Sequence, residues 1–191
     1  KIDPRLAKWI DGALVQPVSA TDKTIAFRPA PGAELPTSID RPVTGPANVD
    51  PWNNIRTMRV GDEFIGVGEF ADTDKDVWLL KACRRGLFKT VVASHPANAG
   101  VTGLIRPYDQ CFTADNDSTL VAELGRRIAE FNNRNNIIHC EQDAGEIHTV
   151  NHQWGYAKFT EGVYTNLDHP VTSNNSDGSH MPCQFEYRFN R

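Results

Sequence analysis

Apolar and polar positions alternate in short runs along most of this chain, and turn-forming residues separate the runs. The segments 24–28 TIAFR, 55–60 IRTMRV, 63–70 EFIGVGEF, 77–83 VWLLKAC and 87–93 LFKTVVA are rich in β-branched, aromatic or other apolar residues, with Gly, Asp or Arg-Gly between them. Runs of this kind predict strands. Four more candidates follow at 137–142, 146–152, 154–164 and 184–190. In the last, Phe185, Tyr187 and Phe189 alternate with Gln184, Glu186, Arg188 and Asn190, which is the period of a half-buried strand. One segment has a helical period instead. In DSTLVAELGRRIAEFNNRNN, Leu120, Leu124, Ile128 and Phe131 fall on one face and Ser118 is the N-cap candidate, so a helix is expected at 118–132. Leu6, Trp9 and Ile10 have helix-like spacing and suggest a short N-terminal helix over 3–14. Prolines crowd 29–51, which therefore reads as loop or sheet edge. The pattern predicts one mainly β domain over 1–191, an antiparallel β-sandwich or jelly roll with one clear helix.

Bulk properties narrow the partner classes. The 191 residues are enough for one sizeable core, and 39% hydrophobic with 23% charged residues is an ordinary globular balance. A net charge of −4 without a long basic run gives no expectation of a nucleic-acid partner. No apolar run reaches the ~18–20 residues of a membrane span, so no membrane partner is expected either. Cys83, Cys111, Cys140 and Cys183 lack C-x-x-C spacing, which argues against a zinc ribbon. Their even number suits two disulfides in a secreted protein or four reduced core thiols in a cytosolic one. With formal glycosylation sequons at Asn116 and Asn174, the expectation is a secreted chain.

Candidate chemistry gathers near 155–166, GYAKFTEGVYTN, where Tyr156, Lys158, Thr160 and Tyr164 occupy even positions. Glu146, His148, His152 and Trp154 extend the same parity upstream. On paired strands these residues line either one groove or a solvated sheet face, and alternation does not separate the two. His148 and His152 are four apart, as in a helical zinc motif, but in a strand they stand ~13 Å apart and share no ion. No metal or cofactor is expected. There is no G-x-S-x-G elbow and no phosphate-binding glycine motif.

YAKFTEGVYTN, followed by a loop and CQFEYRFNR, resembles the ending of the alginate-lyase type of polysaccharide lyase. FIGVGEFADTDKDVWLLKACRRGLFKTVV is similar to that family's stretch leading to LLK and a Gly turn, and FRPAPGAELPTSIDRPV or NNIRTM stands where the family has its arginine motif. Here two extra residues separate Lys158 from Gly162, and GVG replaces the family's Q-I-H. The resemblance implies a secreted β-jelly-roll enzyme that cleaves an anionic, uronate-containing polysaccharide by β-elimination. Tyr164, at the family's second tyrosine, would serve as base or acid. Arg56 or Arg41 would pair with the uronate carboxylate in the bidentate geometry that suits arginine. His148, which matches no family position, would neutralise that carboxylate or abstract the proton. Lys158 would hold the polymer's charge, Trp154 would stack on a sugar ring, and Tyr156 and His152 would complete the substrate groove. Two non-catalytic alternatives share the composition: a β-rich structural or assembly subunit of viral capsid or tail type, and a carbohydrate-binding module. The oligomeric state stays open.

Overall fold

The computed structural model describes residues 1–36, 53–74, 76–107, 111–142 and 152–175. The chain is mainly β and divides into two compact units, 1–113 and 114–191. The first unit holds β1 (Lys8–Leu14), β2 (Ile25–Pro29), β3 (Asn53–Val60), β4 (Glu63–Gly66), β5 (Glu69–Asp74), β6 (Val77–Lys81) and β7 (Gly100–Pro107). They form one seven-stranded sheet in the order β4-β3-β7-β1-β2-β6-β5, and each neighbouring pair is antiparallel.

The two ends of that order, β4 and β5, are separated in sequence only by Val67 and Gly68. One continuous run therefore supplies both edges, and the sheet curls into a half-barrel. Gly66 and Arg84 exchange backbone hydrogen bonds at 2.8 Å each, and Gly68 N–H reaches the Lys81 carbonyl at 3.0 Å. That approach needs a glycine, since a Cβ on Gly68 would lie 2.7 Å from the Ala82 Cβ. Inside the curl, Leu14, Ile25, Phe27, Ile55, Met58, Ile65 and Leu80 are fully buried. The strand period explains the sorting: Ile25 and Phe27 of β2 are buried, while Ala26 and Arg28 point away. A fully buried side chain such as Phe27 contributes about 1.5–3 kcal/mol relative to exposure.

The expected N-terminal helix is strand β1. Its register shifts between Lys8 and Ile10, and a bulge of this kind lets adjacent Trp9 and Ile10 both pack against the core. Neighbouring apolar residues on one side of a bulged strand mimic helix spacing. The strand expected at 87–93 is instead a 3-10 turn at Leu87–Lys89 followed by irregular backbone. Strand β7, interrupted by glycine at 100 and 103, had no signal in the alternation pattern.

The second unit is built differently. It contains α1 (Leu120–Asn135), β8 (His139–Gln142), α2 (His152–Tyr164) and β9 (Thr172–Asn175). β8 and β9 pair in parallel, and α2 lies between them in sequence as a βαβ crossover. This corrects the expectation of a strand at 154–164. The predicted helix exists, with Ser118 just before it: its Oγ accepts from Leu120 N–H at 3.2 Å and donates to the Asp115 carbonyl at 2.6 Å. Its buried face is Leu120, Val121, Gly125, Ala129 and Asn132, and Leu124, Ile128 and Phe131 are exposed. Small residues decide the face. A Cβ on Gly125 would lie 2.3 Å from the Phe159 carbonyl oxygen, and one on Gly162 would lie 2.8 Å from that of Ala122, so the backbones of α1 and α2 touch where glycines meet. Of the candidate strand 146–152, residues 146–151 lie outside the described residues and His152 opens α2; the candidate strand 184–190 lies outside them too.

Candidate functional site

The most heavily built polar constellation sits at the start of β4. Glu63 is the first residue of a strand whose four residues are all buried, and its own side chain is 1% exposed. A carboxylate there is tolerable only if its lone pairs are satisfied. Arg85 donates from Nε to Oε1 at 2.7 Å and from Nη2 to Oε2 at 2.8 Å. Gly86 N–H reaches Oε1 at 3.1 Å, Ala93 N–H reaches Oε2 at 3.2 Å, and His95 Nε2 meets Oε2 at 2.8 Å. An ionised carboxylate only accepts, so His95 Nε2 is the donor in this contact. Burial alone would raise the Glu63 pKa; the hydrogen bonds from Arg85, His95 and Ala93 and the Arg85 charge outweigh it and hold the group at about 2.

Arg85 also donates to the carbonyls of Ser19 at 2.5 Å and Ala93 at 2.6 Å, and Val18 and His95 exchange backbone hydrogen bonds. Three stretches are thereby fastened to one carboxylate: the turn around 18–22, the start of β4, and the loop 82–99. That loop carries Ala82, Phe88, Lys89 and Asn98 at φ values of 49°, 54°, 64° and 62°. The one other described non-glycine residue with positive φ is Asn136, in the left-handed C-cap of α1, so the backbone strain outside that cap is concentrated in this loop. Left-handed backbone costs roughly 1–2 kcal/mol per residue. Phe88 recovers part of this by packing edge-on to Phe64 and Phe112, with the Arg106 guanidinium 4.6 Å from its ring centroid.

A cleft of about 550 Å3 opens between the first and third of these stretches. Thr21, Lys23, Arg84 and Arg85 supply its polar lining, Ala20 and Ala82 its small walls, and Cys83 a buried thiol. Lys23 and Arg84 are exposed. Asp22, the acid of the turn, faces Ser19: its carboxylate accepts Ser19 N–H at 2.8 Å, and that bond lowers its pKa. Burial pushes the Cys83 thiol up to about 12, so it stays protonated.

Among the described residues, those singled out near 155–166 do not line a sheet trough. Tyr156, Lys158 and Tyr164 lie on helix α2, where 100° steps replace strand alternation. Tyr156, Thr160 and Tyr164, four apart, share one side; Thr160 is fully buried and Tyr164 is 4% exposed, with its hydroxyl bonded to Ser173 Oγ. Lys158, two residues off that series, donates to the Asn116 carbonyl at 2.8 Å. His152 and Trp154 belong to the first turn of α2. Arg56 is half-buried in β3, and its carbonyl accepts Val67 N–H at 2.7 Å. His148 and Arg41 lie outside the described residues. Cys83 and Cys140 are free buried thiols, so the pairing of all four cysteines in two disulfides does not occur.

Among the described residues, no group of three or more His, Cys, Asp or Glu is placed to hold a metal ion, and no helix is long and apolar enough to cross a membrane. Local sequence pattern does not reveal the Glu63 cluster, because Arg85 and His95 stand 22 and 32 residues from Glu63, on a loop outside its strand. Compared with family models, curated proteins and solved structures, the chain matches none.

Proposed function

We propose that this chain is a non-catalytic β-rich recognition module, with an anionic, uronate-containing polysaccharide as its ligand. The carrying observation is the loop 82–99, strained at four non-glycine positions and fastened at both of its arms to the buried Glu63 carboxylate. Strain of this kind persists only where surrounding contacts over-determine the backbone, and such loops are the usual place for recognition. Binding a flexible polymer is favoured when the protein side is already ordered, since less entropy is lost on association.

Turnover by β-elimination asks for more than binding. It needs a base at the acidic carbon and a partner for the developing charge, both open to the substrate. The Tyr164 hydroxyl is occupied with Ser173, inside the second unit's packed interior. That placement supports binding over turnover. Affinity electrophoresis through gels containing alginate, glucuronan or pectate tests the reading, alongside the ultraviolet absorbance of unsaturated uronate product. Retardation without product is the expected outcome. Product formation would restore the lyase reading, and no retardation in any gel would remove the module reading.

A further inference from the structure

We infer that the cleft between the 20–23 turn and Ala82–Arg85 is an anion subsite that takes the carboxylate of an acidic sugar residue. The inference rests on the recognition reading above and gives it a location. Its charged lining residues are Lys23, Arg84 and Arg85, all cations, on a chain whose net charge is −4. Arg85 is neutralised by Glu63. Lys23 and Arg84 remain as two positive charges on the cleft wall, with Asp22 drawn off to cap Ser19. A cleft lined by one sign of charge over low-dielectric walls concentrates counter-ions of the other sign.

The chemistry of the two cations suits a carboxylate on a sugar ring. Arg84 offers a planar fork that matches two carboxylate oxygens, and Lys23 adds a mobile point charge. Thr21 Oγ1 pairs with Ser19 Oγ at 3.1 Å and keeps a further lone pair that a ring hydroxyl can donate to. Ala20 and Ala82 add small side chains to the lining. At about 550 Å3 the cleft falls within the range of small-molecule sites. Its floor is rigid, because Arg84 is tied to Gly66 on both backbone groups and Cys83 N–H is held by the Lys23 carbonyl at 2.8 Å.

The test is titration of the isotopically labelled full chain with glucuronate, glucose and inorganic sulfate, followed by backbone amide shifts. Glucuronate is expected to move the signals of Thr21, Lys23, Cys83 and Arg84, and glucose to leave them in place. Lys23→Ala and Arg84→Ala should each weaken glucuronate about tenfold or more, as loss of a charge-assisted hydrogen bond does. Both residues are exposed, so the variants are expected to fold. Equal affinity for sulfate would overturn the assignment to an acidic sugar. Glucuronate affinity unchanged in the double variant would overturn the site. If the double variant is still retarded by the polymers, this subsite fails while the module reading stands; wild-type chain that ignores the polymers ends the module reading itself.

Discussion

Glu63 and Arg85 meet across 22 residues as a bidentate ion pair, with 1% and 7% of their side chains exposed. Breaking such a pair from one side strands a charge in a dry environment. Arg85→Met is expected to destabilise the first unit by about 3–5 kcal/mol, because the Glu63 carboxylate is left behind. The double variant Glu63→Leu/Arg85→Met should cost clearly less than Arg85→Met alone. Urea unfolding of the three proteins measures this, and a double variant no better than the single one would contradict the charge argument.

The same carboxylate sets an acid limit. Its folded pKa of about 2 lies below the ordinary 4.5. A depressed acid stabilises the fold fully above its unfolded value, and that contribution is lost as pH falls through the folded one. Stability should therefore decline between pH 4.5 and about 2 more steeply in the wild-type chain than in Glu63→Gln. Thermal melting across that window checks the slope.

Thiol chemistry reports on burial. Cys83, pushed up to about 12, and Cys140, raised by burial against an Asn132 hydrogen bond, are both expected to resist alkylation at neutral pH. Mass spectrometry after pulse labelling should find them modified only when denaturant is present. Rapid labelling of Cys83 in the native chain would contradict its burial.

Helix propensity alone would make Gly125→Ala a stabilising change by up to ~1 kcal/mol. Contact predicts the reverse, because the new methyl would meet the Phe159 carbonyl oxygen at 2.3 Å. The substitution should destabilise the second unit by about 1–3 kcal/mol, the range for overpacked sites. Circular dichroism melting, with exposed Arg126→Ala as control, separates the two effects.

Local pattern carried β2, β3, β6 and α1, since each is a run whose own residues repeat with its own period. It failed where two periods coincide. Positions 156, 160 and 164 share a face both in a strand, at every second residue, and in a helix, at every fourth. Lys158 is the residue that distinguishes the cases, and it stands apart from the buried side of α2. The face of α1 departs from the hydrophobic pattern for another reason: size, rather than hydrophobicity, decides which side admits a neighbouring backbone, and Gly125 and Ala129 are buried where Leu124 and Ile128 are not. The Glu63 cluster was beyond any local reading. Nothing near Glu63 in sequence signals an arginine in a later loop.

Calorimetric titration of the chain with glucuronan oligosaccharides, at low and then at high salt, asks most directly whether the pinned loop binds without reacting. The account predicts heats that saturate and stop, with affinity that falls as salt rises and falls again in Lys23→Ala/Arg84→Ala. Heat that continues after saturation, or no heat in either salt, would contradict it.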